Sequence, residues 1–519
     1  MTAAKNRIKG SMCICGVAGG ANYDWFPVKM GVRGSTSVKD FTRKSYAIKV
    51  GKANSSASSK VAFLGMPKAK SWVLYAPEGD TAIVRNWLAY SLWRQTGRWG
   101  PRTEWAELFV IPSQTASLAD PQAYYGLFMG SEKIWHGKHR IDITKYDASK
   151  GITGGIIFRN EHGKAKDVPQ VLTLATSQVL LLDYPRKNVS DATLNYLTSY
   201  FNSFEKQLLA PGLGNYSDYV TPESLVDFFL AAEVIKSAND GYRGSTYFWK
   251  DADSACIVAN TTTSRGPAVA AAAGPATEHP ASTAVHPASS PAGTTTMPGN
   301  TTTAAESAAD AVEDYCSAGR ARVVMGPVWD AAKAMGLCCG FPVEGYQAGG
   351  ASNGSSGGSA ISPEGWLFNI CAEPHRCKID PLNGLAQWYL ALWRSAAFRA
   401  QALARYQQLR NSSWSDSWYT NEIDTQVARV NAATARNFAR WGATFAADKV
   451  QFTPGLQGVA AWNASVVDLR TWVVARLHWL DAALAKEAPV AVAKPDVAPA
   501  AAAAAVETAA APAITAQGR

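Results

Sequence analysis

The sequence predicts an α+β fold, with strands in the first third of the chain and helices in the last third. Alternating apolar side chains at 28–32 and 46–50 predict two strands joined by a turn. Apolar residues at helical spacing predict helices over 385–410, 424–442 and 467–486. Strands and helices segregated along the chain are typical of α+β domains.

The same patterns predict the elements that lie between these regions. The apolar run 71–76 predicts a strand, and 104–111 with 124–129 predicts a strand pair. Asp80 is a candidate N-cap for the helix that follows, because a carboxylate can accept from unpaired backbone N–H groups. Thr221-Pro222-Glu223 predicts another helix start, with a capping threonine, a first-turn proline and a glutamate that favours the helix dipole.

Aromatic residues separate a foldable part of the 519-residue chain from two attachments. All 17 Phe, 19 Tyr and 18 Trp lie outside 250–314 and 480–519, which therefore lack the apolar area that offsets ordering entropy. Residues 259–311 are mainly Thr, Ala, Pro and Ser, a composition typical of a solvated insertion. The sequence therefore predicts three units: a strand-rich lobe over 1–133, a helical lobe over 134–487 that the insertion interrupts, and a disordered Ala/Pro-rich tail over 488–519.

The net charge of +9 is uneven, because residues 1–80 hold 13 basic and four acidic side chains. A basic lobe suits a polyanionic ligand such as nucleotide phosphates, and a merely solvated basic face is the alternative interpretation. The chain shows no recognisable nucleic-acid-binding motif, so we expect no nucleic-acid partner.

Two features predict a protein of the secretory pathway or cell surface. Eight Asn-x-Ser/Thr sequons occur, where chance would give about three. Five of the eight cysteines lie within 316–377, and disulfides are favoured over a metal site because no Cys-x-x-Cys pair occurs. No apolar stretch predicts a transmembrane segment. The given start shows no signal peptide, so we expect a truncated N-terminus.

Three short strings carry candidate chemistry, and each also has a plain structural interpretation. Arg33-Gly34-Ser35 could hold phosphate through a cation, hydroxyls and close backbone approach, or it could be an ordinary turn. Asn239-Asp240 with Ser245 has the Asp-to-metal-ligand spacing of protein-kinase catalytic loops, or it is an Asx turn. Asp330 follows the apolar strand 323–325, where an aspartate commonly binds Mg²⁺, or it caps a helix over 331–335. Glu132 ends another apolar strand and could bind a nucleotide edge or a lysine.

Taken in order, these strings resemble the spore-coat-protein-H (CotH) kinase family, a group of atypical protein kinases. The resemblance covers about 28–260 and 320–485. The strings that carry it are Val32-Arg33-Gly34-Ser35-Thr36-Ser37 with Lys44-Ser45-Tyr46, Asp80 with Arg85-Asn86, Tyr125-Gly126-Leu127 through Glu132, Gly154-Gly155-Ile156, Glu233, Asn239-Asp240, Ser245-Thr246-Tyr247-Phe248, Gly326-Pro327-Val328-Trp329-Asp330, Arg436-Asn437-Phe438 with Trp441, and Arg476-Leu477-His478-Trp479-Leu480-Asp481.

The resemblance implies a two-lobed protein-kinase-like fold, with a nucleotide-binding N-terminal lobe and a catalytic C-terminal lobe. It implies ATP and Mg²⁺ as cofactors, and transfer of the γ-phosphate to Ser/Thr hydroxyls of a secreted or surface protein. Asp240 is then the catalytic aspartate, and Asp330 and Ser245 are the metal ligands. The implied ATP-binding residues are Arg33, Gly34, Ser35, Arg43, Lys44 and Glu132, with Lys44 as the cation that faces the triphosphate.

The sequence departs from the family pattern at three points. Arg43 stands where the family tends to show the first of two lysines, and the two side chains differ in geometry. Ala332 stands where many relatives have Asp or Asn. The strands that usually precede the Arg33 block are not evident. These departures keep open a catalytically weak pseudokinase or a coat or surface binding protein of the same fold.

Overall fold

The computed structural model describes fourteen parts of the chain. They are 7–16, 23–34, 38–39, 41–52, 59–112, 117, 120–160, 168–237, 240–256, 315–317, 319–337, 362–368, 385–447 and 456–487. Strands and helices both build this part of the chain, which confirms the α+β class. The two-lobed kinase-like arrangement stays a prediction, and the predicted insertion 259–311 and tail 488–519 lie outside the described residues.

A six-stranded antiparallel sheet occupies the first third of the chain. Its spatial order is β1-β2-β3-β4-β6-β5, with β1 Ile8–Ile14, β2 Tyr23–Arg33, β3 Ser45–Val50, β4 Ser71–Tyr75, β5 Thr103–Phe109 and β6 Tyr124–Glu132. The predicted strands are therefore confirmed here, and β1 adds a strand before the Arg33 block. Val28, Ile48, Trp72 and Phe128 belong to a buried cluster in this sheet region.

A second sheet lies inside the region that the sequence predicted to be helical. Its order is β13-β10-β7-β9-β8, with β7 Ile156–Asn160, β8 Gln170–Leu172, β9 Val179–Tyr184, β10 Thr246–Lys250 and β13 Val323–Met325; the short pair β11 Cys316–Ser317 and β12 Arg320–Ala321 stands apart. The runs 156–158 and 180–182 are buried at every residue. Short apolar runs without alternation do not distinguish a buried strand from a helix, so the sequence predicted only the strand at 323–325 of this sheet.

Helices pack against both sheets. They are α1 Arg85–Arg94, α2 Asp191–Leu208, α3 Pro222–Ile235, α4 Ala386–Trp393, α5 Ala396–Arg410, α6 Asp416–Ala447 and α7 Gly458–Lys486. Among them, α6 packs on β6 and α3 on β13. The single helix predicted over 385–410 is wrong, because the chain breaks before α5, where the Ser395 hydroxyl accepts from the Phe398 N–H. The other two predicted helices form. Helix α6 extends beyond both predicted ends, whereas α7 begins nine residues before its predicted start and ends at Lys486 as predicted.

Two predicted helix starts differ in detail from the structure. Helix α3 begins at Pro222 as predicted, but Thr221 makes no side-chain cap bond. Helix α1 begins five residues after Asp80, whose carboxylate accepts from the N–H groups of Ala82 and Arg85 at 3.1 and 2.7 Å. Asp80 therefore stabilises the turn before α1 instead of occupying the N-cap position.

The long helix α6 is joined to the first sheet by a buried polar network around Arg43. The Arg43 guanidinium donates to Asn437 Oδ1 at 2.7 Å and to the Leu127 carbonyl at 3.1 Å, and it pairs with Glu78 at 3.4 Å. Gly126 passes so close to this network that a Cβ there would lie 2.8 Å from Asn437 Oδ1, and its φ of +119° also favours glycine. Sheet and helix are therefore fixed in one relative position.

A disulfide joins the chain segments on either side of the predicted insertion. Cys256 and Cys316 form a disulfide, and β10 pairs with β13 beside it, with Phe248 opposite Met325. A disulfide for Cys316 was predicted, although its partner lies outside the predicted cysteine cluster. The other four clustered cysteines, Cys338, Cys339, Cys371 and Cys377, lie outside the described residues.

No helix in the described ranges is both long and apolar enough to cross a membrane.

Deleting residues 262–308 is expected to leave the fold intact, because the disulfide and the β10–β13 pairing already join the two ends of the insertion. The free energy of unfolding in urea should change by less than about 1 kcal/mol, since loop-closure entropy varies slowly with length. Loss of the cooperative transition in the deletion variant would contradict this expectation.

Replacing both Cys256 and Cys316 by serine is expected to lower the free energy of unfolding by about 4 kcal/mol for a loop of about 60 residues. The measurement is a urea titration of the full chain, with Cys15→Ser as the control, because Cys15 is an exposed free thiol. Equal stability of the double variant and the wild type would show that the bridge contributes nothing.

Candidate active site

A small pocket lies between helix α3, the loop that follows it, and the segment after β13. Its polar lining comes from Ser237, Ser245 and Asp330, and Phe228 and Trp329 contribute apolar walls. The two residues predicted as metal ligands, Ser245 and Asp330, therefore face the same pocket although 85 residues separate them in sequence.

Helix α1 holds the segment that carries Asp330. The Asn86 side-chain oxygen accepts from the Ala331 N–H at 2.7 Å, and the Arg85 guanidinium donates to the Ala334 carbonyl at 3.0 Å. Both side chains are buried, so these bonds form away from competing water. The position of Asp330 is therefore set by a helix that follows β4 of the first sheet.

One helical turn further along α1, an aromatic ring also contacts the segment that carries Asp330. The Tyr90 ring stacks on Trp329 with centroids 5.4 Å apart, and its hydroxyl accepts from the Asp330 N–H at 3.4 Å. Burial raises the pKa of Tyr90 above its usual range, and the negative charge of Asp330 raises it further. Tyr90 therefore stays protonated beside the carboxylate.

The backbone of this segment is unusual at both ends. Asp330 has φ of +62°, a left-handed conformation that Asp and Asn tolerate better than other non-glycine residues. Gly326 has φ of +96°, and a Cβ there would lie 2.1 Å from a ring carbon of Trp93. No helix forms over 331–335, so the alternative that Asp330 caps a helix is wrong.

Asp240 lies in the loop that forms the opposite wall of the pocket. Its carboxylate accepts from the Ser237 hydroxyl at 3.4 Å, and its carbonyl accepts from the Arg243 N–H at 2.9 Å. Ser237 and Gly241 line the pocket on either side of it in sequence, and Ser245 has φ of +50°. Asn239 lies outside the described residues.

A buried carboxylate on α3 anchors this loop from behind. Glu233 accepts from the Tyr242 hydroxyl at 3.1 Å, from the Arg476 guanidinium at 2.9 Å, and from the N–H groups of Leu367 and Phe368 at 2.7 and 2.9 Å. Burial raises the pKa of Glu233, while Arg476 and the two N–H groups oppose that change. Helix α7 and the segment 362–368 thus support the loop that carries Asp240.

Lys236 adds a second anchor at the start of the same loop. Its ammonium group donates to the carbonyl oxygens of Ser362, Glu364 and Gly365. Burial lowers the pKa of Lys236 to about 6, and the nearby charge of Arg476 lowers it as well. Its contacts are with main-chain carbonyls, which favours a structural role for this lysine.

Arg33 is a predicted phosphate-binding residue that contacts a residue lining this pocket. Its guanidinium carbon lies 5.4 Å from the centroid of the Trp329 ring, next to Asp330 in sequence. Gly34 follows it with an exposed backbone and φ of +113°. Ser35 lies outside the described residues.

The other predicted nucleotide-binding residues have different partners. Arg43 is fully enclosed in its network with Glu78 and Asn437, which lowers its pKa through burial. Lys44 donates to the carbonyls of Val38 and Phe41 in its own loop. These contacts favour structural roles, and the two assignments stay predictions.

Glu132, at the end of β6, is fully buried in an arginine cluster. It accepts from the Arg102 side chain at 2.9 and 3.0 Å, and Arg140 lies 3.8 Å away. Since it has cationic partners, its burial is compensated without a bound ligand.

The donor set suits a magnesium ion held together with phosphate. No group of three His, Cys, Asp or Glu side chains that could hold a metal occurs among the described residues. Asp330 and Ser245 supply one carboxylate and one hydroxyl to the same pocket. Mg²⁺ commonly takes one or two protein oxygens and completes its shell with water and substrate phosphates, so this small set fits it.

Sequence reasoning missed the role of Tyr90 and several charges beside the pocket. Asn86 and Tyr90 are four residues apart, a spacing that places them on one face of the predicted helix. That spacing could have predicted that Tyr90 contacts the same segment as Asn86. Lys133, Arg159 and Arg186 gave no signal, because their proximity to Trp329 depends on strand pairing.

Replacing Asn86 by alanine is expected to lower the free energy of unfolding by about 2 kcal/mol, because the buried Ala331 N–H loses its acceptor. The matched control is Asn195→Ala on the exposed side of α2, which should change it by less than about 0.5 kcal/mol. Equal effects of the two variants in urea titrations would contradict the role given to Asn86.

The comparison with family models agrees with the part of this site that lies before residue 260, and Asp330 lies beyond the matched range. A comparison with curated proteins finds no match. Residues 30–259 match the family model described as CotH kinase protein, a range that includes Arg33, Asp240 and Ser245. This match confirms, over residues 30–259, the resemblance to the CotH kinase family that the sequence predicted.

Proposed function

We propose that the protein is an atypical protein kinase that transfers the γ-phosphate of ATP to Ser/Thr hydroxyls. The single observation that supports this most is the convergence of Asp330, Ser245 and the Asp240 loop on one pocket. The family match supports the kinase class, and the small oxygen donor set suits a metal bound with phosphates.

Asp240 is the candidate for orienting the acceptor hydroxyl. Its bond with the Ser237 hydroxyl and the support of Tyr242 by Glu233 hold the loop in one position. A carboxylate held in this way can accept the proton of a hydroxyl group and direct its oxygen.

Asp330 and Ser245 are the candidates for holding Mg²⁺. The ion would supply charge neutralisation for the phosphates when bound. Asp330 is fixed for this role by Asn86 and Tyr90, and its left-handed backbone directs the residue back towards the pocket wall.

The expected substrates are secreted or surface proteins. The disulfide between Cys256 and Cys316 is the observation in favour, because such bridges persist in oxidising compartments. The sequons at Asn188, Asn215, Asn411 and Asn463 are all exposed, as glycan acceptors must be.

A second candidate function is a pseudokinase or surface binding protein. The enclosure of Arg43 and the presence of Ala332 favour it, since each changes a position where the family shows another residue. Both candidate functions use the same pocket, and an assay of phosphate transfer distinguishes them.

Replacing Asp240 or Asp330 by asparagine is expected to reduce Mg²⁺-dependent transfer of labelled γ-phosphate by about a hundredfold or more. Asparagine keeps the side-chain volume and tolerates the left-handed backbone at 330, so the lost charge is what the assay measures. Chelation of the metal should abolish transfer by the wild type.

Asp142→Asn is the matched control, because this aspartate is exposed. It should transfer at the wild-type rate. Full activity of both pocket variants would overturn the site assignment, and absence of transfer in a folded wild type that still binds ATP would favour the pseudokinase.

A further inference from the structure

A band of positive charge borders the pocket on the side of Trp329. We call the side chains of Arg33, Lys133, Arg159 and Arg186 the basic band. None of these four is a pocket-lining residue. Arg33 and Lys133 lie at the ends of β2 and β6 of the first sheet, and Arg159 and Arg186 lie on β7 and after β9 of the second.

Two aromatic rings, those of Trp329 and Tyr247, connect Arg33 to the next member of the band. Arg33 lies 5.4 Å from the Trp329 centroid, and Trp329 meets Tyr247 edge-on at 6.3 Å. Tyr247 on β10 is paired directly with Arg159 on β7. Arg159 is therefore a cross-strand neighbour of a ring that touches the residue before Asp330.

Asp183 pairs with Arg159 and Arg186, the two arginines of the band on the second sheet. Arg159 Nε lies 3.9 Å from its carboxylate, and Arg186 forms an ion pair with it and donates to its carbonyl at 3.1 Å. The Asp183 side chain is 4% exposed, whereas those of Arg159 and Arg186 are 25% and 50% exposed. The Arg186 guanidinium is therefore accessible to solvent, the Arg159 side chain is partly exposed although its Nε is buried, and the carboxylate is buried.

Lys133 adds a fourth charge from the end of β6. Its ammonium group lies 3.7 Å from the centroid of Trp135, which packs edge-on against Tyr184, next to Asp183. Burial lowers the pKa of Lys133 to about 8, and the charges of Arg186 and Arg33 lower it too. With Asp183 counted, these five side chains carry three net positive charges.

We propose that the basic band binds an acidic stretch of the acceptor protein beside the hydroxyl that is phosphorylated. The inference rests on the proposed kinase function and adds a substrate class to it. Arginine pairs well with carboxylates because its planar donors match their two oxygens.

The position of the band outside the pocket lining favours a peptide over the nucleotide. Arg33 and Arg186 are separated by Trp329, Tyr247, Arg159 and Asp183 in successive contact. An extended peptide advances about 3.3 Å per residue and can follow such a path over several acidic side chains.

The test uses the full chain and two labelled peptides in which alanine replaces the acceptor serine. One peptide has glutamate at the four flanking positions and the other has lysine. Fluorescence anisotropy at low salt should show about tenfold tighter binding of the glutamate peptide, because several weak ion pairs act together. The preference should fade at high salt, which screens exposed charges.

The variant Arg159→Glu/Arg186→Glu should weaken glutamate-peptide binding about tenfold and shift the preference to the lysine peptide. Its KM for ATP should stay within about twofold of the wild type. If the double variant does not fold, Arg186→Glu alone, at a half-exposed position, should also weaken glutamate-peptide binding and shift the preference towards the lysine peptide. Lys206→Glu, at an exposed lysine of α2, is the charge-matched control for Arg186→Glu and should behave as the wild type.

Equal binding of both peptides by the wild type would overturn the proposal. So would a variant that raises the KM for ATP and leaves peptide binding unchanged, because the band would then serve the nucleotide. Binding is measured without phosphate transfer, so an inactive protein contradicts the kinase function while the peptide preference can still be measured.

Discussion

The contact between helix α1 and the segment 326–334 is the constraint on which the candidate site depends. The pocket exists only while Asp330 faces the Ser245 loop, and Asn86 and Tyr90 hold its backbone there. These bonds are buried, so loss of one partner leaves an uncompensated polar group. Helix α1 is itself tied down by the buried pair of Asp80 and Arg85 at 2.7 Å.

The opposite wall has an independent support. Glu233 connects the Asp240 loop to Arg476 on α7, more than two hundred residues further along the chain. The two walls of the pocket are thus fixed by different helices, α1 on one side and α7 on the other. A site that depends on precise placement of two aspartates benefits from such rigid supports. The disulfide at the base of the insertion keeps β10 and β13 adjacent between these walls.

The sequence predicted the α+β class, most of the first sheet and the meeting of Ser245 with Asp330, because local patterns and ordered strings carry that information. Of the second sheet it predicted only the strand at 323–325, because the other short apolar runs have no period. Nor could it show that Arg43 is enclosed by α6, since a charged residue does not reveal a partner 394 residues away. The sequence did not predict the basic band either, because strand pairing brings its residues together.

A structure of the full chain with Mg²⁺ and a non-hydrolysable ATP analogue would test the central claim most directly. We expect the metal about 2.1 Å from a carboxylate oxygen of Asp330, with the terminal phosphate in the pocket between Asp330 and the Asp240 loop. A nucleotide bound with its phosphates elsewhere, or a metal held by other side chains, would contradict the account.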